Sequence, residues 1–179
     1  MSATQATTES GVASGSDAGI ARAMSEALQL EVVATSELID ATRTAQIIVT
    51  ATTARIPFLT SNMISAGAFV AAVGADSAEK NELAPGVLGC SKIVVDVLAQ
   101  AATMGDLHHA IEAGAVTISD VHAELAEVIV GRKPGRTTPD EIIVFDSTGT
   151  AIQDVASAAW ILQRANAQKV GLSINFGAL

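Results

Sequence analysis

Short apolar runs alternate along the chain with stretches whose apolar residues recur every three or four positions. The clearest run is Ala45-Gln46-Ile47-Ile48-Val49-Thr50-Ala51-Thr52, β-branched on both faces. A strand apolar on both faces belongs inside a parallel sheet with helices on each side. Similar runs predict strands over 30–33, 68–73, 92–96 and 141–147. Between them, Ile20, Met24 and Leu28 at helical spacing behind Ser16-Asp17 predict a helix over 17–28, and Ser36 opens another over 36–43. Asp76 stands where a helix over 77–84 begins, and Pro85-Gly86 ends it. Helices also start at Ala99 and Gly105, and Val121, Leu125 and Val128-Ile129 predict one over 119–130. Arg55 to Gly67 reads as a loop, 148–165 as a long Ala-rich helix, and 170–176 as a last strand or an extended tail. Strands alternate with helices and no Asn-Gly hairpin signal or internal repeat occurs, so the pattern is that of a doubly wound α/β fold.

Composition narrows this further. With 179 residues, 49% of them hydrophobic and only 3% aromatic, the chain suits one Ala/Val-rich α/β domain with a real core. Three segments follow: a disordered Ser/Thr/Ala-rich tail over 1–16, an α/β domain over 17–147, and a C-terminal helix and tail over 148–179. The net charge of −9, without a basic run, speaks against nucleic acid as a partner. No apolar stretch approaches the roughly 20 residues of a membrane span, and no basic residue precedes Arg22, so the stretch from Met1 to about Asp17 reads as neither a signal peptide nor a typical Arg-rich transit peptide. A single cysteine excludes an internal disulfide and a Cys-based zinc cluster, and Cys90 reads as a small buried or half-buried hydrophobe.

The candidate chemistry sits at strand ends. The run Ala68 to Val73 meets Gly74 and Ala75 and then delivers Asp76 to the carboxyl edge of the sheet, where open α/β sheets bind ligands. Thr50, Thr52, Ser147 and Thr148 end two other strands at the same edge. Such residues also serve as caps and turn formers, and Asp76 reads equally well as an N-cap and as a catalytic acid. His108, His109 and Glu112 predict no metal site, because adjacent histidines on a helix diverge and no further ligand has diagnostic spacing. His122 reads as a surface or packing residue, and Asp120, Glu124 and Glu127 read as a solvated face. Gly131 to Arg136 suits either a phosphate grip or a C-capping turn, and neither a G-x-G-x-x-G nor a Walker loop occurs.

In order, the chain carries Thr50-Ala51-Thr52, Ala72-Val73-Gly74-Ala75-Asp76-Ser77 with Lys80 and Glu82-Leu83, Val94-Val95-Asp96, Gly105-Asp106-Leu107, and Ala123-Glu124-Leu125 with Glu127-Val128. Gly131 to Arg136 and Phe145-Asp146-Ser147-Thr148-Gly149 with Ala151-Ile152-Gln153-Asp154 follow. Over residues 17–166 this resembles the C-terminal half to two-thirds of the ornithine cyclodeaminase/mu-crystallin family, with Ala126 where that family usually has Gly. The resemblance implies a partial Rossmann-type parallel sheet lacking its first strand, followed by a long C-terminal helix. It implies NAD or NADP as cofactor, an amino acid or cyclic imine as small-molecule partner, a homodimer in the intact family, and a cytoplasmic protein.

The activity implied is hydride exchange between amino acids and imines. Reduction of a cyclic ketimine such as pyrroline- or piperideine-2-carboxylate is favoured over ornithine cyclodeamination by the Gly105-Asp106-Leu107-His108-His109 and Val73-to-Ser77 blocks. By that resemblance Asp76 is the proton donor and acceptor. Thr52, Val73, Gly74 and Ala75 line the nicotinamide, Lys80 reaches the cofactor, Ser147 hydrogen-bonds it, and Thr148 touches the substrate. The family's substrate and dimerisation domain and its glycine-rich phosphate loop have no counterpart before residue 17. Three expectations follow: an incomplete family enzyme, a non-catalytic remnant, or one half of a split enzyme.

Overall fold

The computed structural model describes residues 4–7, 15–172 and 174. They fall into two units, one running to Thr148 and one from Gly149, each described by itself.

In the first unit, β3 (Ile47–Thr50), β4 (Phe69–Ala72), β5 (Lys92–Val95), β6 (Val121–Glu124) and β7 (Ile143–Asp146) form a parallel sheet of order β3-β4-β7-β5-β6. A separate parallel pair joins β1 (Thr4–Thr7) to β2 (Val32–Thr35). The sequence places 1–16 in a tail, and within that range Thr4–Thr7 are strand, while 1–3 and 8–14 lie outside the described residues. Helices α1 (Gly15–Leu28), α2 (Leu38–Arg43), α3 (Pro85–Gly89), α4 (Leu98–Ala101), α5 (Gly105–Glu112) and α6 (Leu125–Ile129) alternate with the strands. The second unit holds α7 (Ala151–Gln168). The last strand expected over 170–176 falls partly outside the described residues, and Val170 to Leu172 are not strand.

Val70, Ile93, Val95 and Val144 on the sheet pack with Leu59, Leu83, Leu88 and Leu107 in one core. Each such side chain contributes about 1.5–3 kcal/mol on burial. The central strands β4, β5 and β7 give this core Val70, Ala72, Ile93, Val95 and Val144. The outer strand β3 buries Ile48 and Thr50 but leaves Ile47 68% and Val49 63% exposed, so one of its apolar faces is uncovered.

Four local expectations are corrected. Residues 77–84 are a loop with a short turn and not a helix. The N–H groups of Glu82 and Leu83 donate to the Asp106 carboxylate, which replaces the helical ladder there. Pro85 opens helix α3 and does not close one, because its missing N–H costs nothing in a first turn. Val121–Glu124, expected as helix, pair with β5, and only Leu125–Ile129 are helical. Thr117 and Asp120 close a capping box just before this strand, and Glu124 and Glu127 close another after it. Those acids are therefore turn and cap residues rather than a solvated helix face. Cys90 is exposed, just past the end of α3.

Candidate active site

Register brings the predicted strand ends together. Thr50 of β3 pairs with Ala72 of β4, and Ala72 with Asp146 of β7. The Val73 N–H then donates to the Thr50 carbonyl, and the Ser147 N–H to the Ala72 carbonyl, both at 2.9 Å. Thr52, Val73, Gly74, Ala75, Ser147 and Thr148 thus continue three adjacent strands at one edge. This is the crevice position of open α/β sheets.

Under this edge lie buried acids that the sequence reading does not single out for a site. Glu82, fully buried, accepts from Thr50 Oγ1 at 2.6 Å, Thr52 N at 2.6 Å, Thr52 Oγ1 at 2.7 Å and Gly74 N at 3.0 Å. Asp106 Oδ1 accepts the Glu82 and Leu83 N–H groups at 2.7 and 2.9 Å. Asp146 Oδ2 accepts the Leu107 N–H at 2.8 Å. Asp106 Oδ2 and Asp146 Oδ1 are buried without a hydrogen-bond partner. Loss of water pushes the Asp106 carboxyl up to about 6, against two backbone donors that lower it. Burial, with the charge of Asp106 second, pushes Asp146 up to about 8. Their signal in the sequence is acids wedged among apolar neighbours, as in Phe145-Asp146 and Asp106-Leu107.

Asp96 holds the other wall. Its carboxylate accepts the Val97 N–H at 2.7 Å, the Thr148 N–H at 2.9 Å, the Thr148 hydroxyl at 3.1 Å and the Ser147 hydroxyl at 3.3 Å. Gln100 Nε2 donates to Thr148 Oγ1 at 2.9 Å. Thr148 is buried, so its hydroxyl is committed inside the protein, whereas Ser147 is half-buried.

Asp76, the residue after Ala75, is exposed at the surface, and Lys80 Nζ donates to its Oδ1 at 2.6 Å. That bond holds the Asp76 carboxyl below its ordinary range. Val73 is 42% exposed, beside half-buried Thr52 and buried Gly74 and Ala75. Glu79 turns away to Arg55, at 2.9 Å. His108 and His109, expected to diverge, both face Glu112, at 3.5 and 3.8 Å, and His109 Nε2 lies 3.1 Å from the Lys80 carbonyl oxygen. The three form a cluster of potential ligand atoms within 4.8 Å of one another. The Arg136 guanidinium donates to the carbonyls of Ala68, Pro139 and Glu141, so this basic turn is built into the fold. His122 is bonded to the Pro134 carbonyl at 2.8 Å.

A parallel sheet with this strand-end crevice belongs to the Rossmann-type nucleotide-binding class. The chain is a member of the ornithine cyclodeaminase/mu-crystallin family, whose family model matches residues 11–169. It is 42% identical over 130 residues to the alanine dehydrogenase of Archaeoglobus fulgidus, covering 73% of this chain and 40% of that protein. Among solved structures, an archaeal alanine dehydrogenase dimer with bound NAD superposes with a TM-score of 0.84 at 35% identity, over 96% of this chain and 52% of that one. The Thermococcus litoralis Δ1-pyrroline-2-carboxylate reductase, in complex with NADH and L-proline, gives a TM-score of 0.82 at 30% identity, over 90% of this chain and 50% of that one. The chain thus spans about half the length of the relatives it matches. Among the described residues, no helix is long and apolar enough to cross a membrane.

Proposed function

We propose that the chain carries the nicotinamide-side half of an NAD(P)-dependent amino-acid/imine oxidoreductase. The favoured substrate is a cyclic ketimine such as pyrroline- or piperideine-2-carboxylate, with ornithine cyclodeamination next. The observation that carries this reading is Asp76, an exposed carboxylate paired with Lys80 and following the small residues Gly74 and Ala75 just past the end of β4. The exposed Val73 side chain beside Thr52, Gly74 and Ala75 suits a flat ring, and the Ser147 hydroxyl at the next strand end supplies a polar contact for it. Nicotinamide, when bound, supplies or takes the hydride.

The chain's own part is the proton. Reducing an imine adds a hydride to carbon and a proton to nitrogen, and Asp76 supplies or removes that proton. Paired with Lys80, Asp76 is held ionised and acts as the base that amine oxidation needs. Imine reduction needs Asp76 protonated, which is easier once Lys80 turns from it toward the cofactor. Thr148, bonded to Asp96 and Gln100, sets the position of the wall that meets the substrate.

A second reading is favoured by β3. It is an edge of the sheet and leaves Ile47 and Val49 uncovered on one face, which fits further polypeptide, in the same protein or in a partner chain, pairing with that edge or packing on that face. A homodimer is proposed on either reading.

The test is titration with NADH and NADPH, followed by nicotinamide fluorescence, and then assay with the cyclic imines. Micromolar binding and imine reduction are expected of the completed enzyme. No binding up to millimolar cofactor sinks the assignment for the chain alone. In a catalytically complete protein, Asp76→Asn should abolish turnover and keep cofactor affinity; near-normal turnover refutes the proton role.

A further inference from the structure

We propose that Glu82 is the positioning residue of the crevice: its buried carboxylate fixes the ends of β3 and β4, and with them the ledge that receives the nicotinamide ring. This rests on the function proposed above.

The main-chain ladder between β3 and β4 runs out at the bond from Val73 N to the Thr50 carbonyl. Beyond it the two strand ends are joined through Glu82. One carboxylate oxygen takes the N–H and hydroxyl of Thr52, and the other takes the hydroxyl of Thr50 and the N–H of Gly74. A carboxylate offers about four lone-pair sites, so this one is saturated by donors from both strands.

Glu82 is itself locked. Its N–H donates to Asp106, and its carbonyl accepts from the N–H groups of Phe58 and Leu59 at 3.0 and 3.1 Å. A group held on every polar atom transmits its own position to whatever it binds. The same seat explains Gly74. A Cβ there would lie 2.3 Å from Glu82 Oε1 and 2.5 Å from the Thr52 nitrogen, so a side chain and the carboxylate cannot coexist. The small ledge and the buried acid are therefore one device. Burying a carboxylate is costly unless it is fully bonded, and a space filler alone would not need the charge.

Glu82→Gln tests this in the full chain. However the amide turns, its NH2 faces either the Thr52 N–H or the Gly74 N–H, and one of them loses its acceptor. Hydrogen exchange at that amide should rise about tenfold or more while the Val70 and Val144 amides keep their protection, and NADH should bind about tenfold more weakly. Thr50→Val is the second variant. It fills the same space and removes one donor to Glu82, so it should raise Gly74 exchange and weaken NADH binding, and Thr50→Ser should restore both. A residue that merely filled space would be satisfied by Val.

Unchanged exchange at Thr52 and Gly74 in both Glu82→Gln and Thr50→Val overturns the proposal. Altered exchange with wild-type NADH affinity overturns its link to the crevice. If Glu82→Gln does not fold, the Thr50 pair decides. Should the wild-type chain bind no NADH, the functional reading fails, and the exchange measurements still decide on their own whether Glu82 sets the strand ends.

Discussion

Asp76 and Lys80 are within four residues of each other and share one short ion pair at the protein surface. The pair sets which half-reaction Asp76 is ready for, because a carboxyl held low stays deprotonated, free to accept a proton and with none to donate. The expected consequence is direct. In the wild-type chain Asp76 should titrate below the ordinary aspartate range, and in Lys80→Met it should return to that range, as followed by the side-chain carboxyl carbon shift in NMR. The hydrogen bond from Lys80 is the largest cause of the lowering, so its removal should carry most of the change. An Asp76 titration unaltered by Lys80→Met would disprove the coupling. The pair also explains how Asp76 can be an acid at a strand end without being a helix cap. The sequence allowed either role, and the loop over 77–84 has no helix for Asp76 to cap.

Between elements, the buried acids bind the N-terminus of α5 to β7 and to the loop before α3, through Asp146 to Leu107 N and Asp106 to Glu82 N and Leu83 N. Both carboxyls have folded-state values above the ordinary 3.8, about 6 for Asp106 and about 8 for Asp146. The folded state therefore binds more protons than the unfolded state in that window, and stability falls as pH rises through it. Their contribution is fully present below about 3.8 and is lost through about 6 and then about 8. Glu141, held by Lys92 and pushed down from 4.5 to about 2, acts with the opposite sign, and its contribution is lost as pH falls through that range. The melting temperature should peak near mildly acidic pH and decline from about pH 5 to about pH 9 (about one unit below the Asp106 value and one above the Asp146 value), and Asp146→Asn should flatten the upper part of the decline. A wild-type melting temperature rising across that range would refute the raised carboxyls. Runs apolar on both faces announce parallel strands, and Lys92 to Val95 is an inner one, as burial on both sides demands, whereas Ile47 to Thr50, which reads the same way, is the edge strand with Ile47 and Val49 exposed. By contrast, β6 holds His122 and Glu124, and its pairing with β5 overrides a helical spacing that Val121 and Leu125 also satisfy. Asp76, Thr50, Thr52, Ser147 and Thr148 are legible from their position at strand ends on one sheet edge. Glu82 is not, because what distinguishes it is a set of donors from residues 8 to 32 positions away.

On the scale of the molecule, apolar surface is left uncovered in each unit. In the first, the exposed face of β3 accompanies an exposed stripe on α1, where Ile20 is 61%, Met24 44% and Leu28 56% accessible. In the second, α7 exposes Ile152 at 75%, Val155 at 68% and Leu162 at 62%, which follow one another at helical spacing. Arg164 lies over the Trp160 ring at 4.7 Å but leaves that ring 58% exposed. Helices with such stripes are stable mainly through what they pack against, and exposed apolar surface of this extent marks interaction sites. The purified chain should therefore associate, with a weight-average mass in sedimentation velocity that rises with concentration. A double change, Val155→Glu with Leu162→Glu, removes two members of the α7 stripe and should move the equilibrium toward monomer while the pH dependence of the first unit stays as in wild type. If the double change leaves association untouched, the α1 and β3 surface becomes the contact, and Ile47→Lys should then dissociate the assembly. A chain that stays monomeric at every concentration would mean that neither surface self-associates, and that the uncovered faces belong to contacts with other polypeptide.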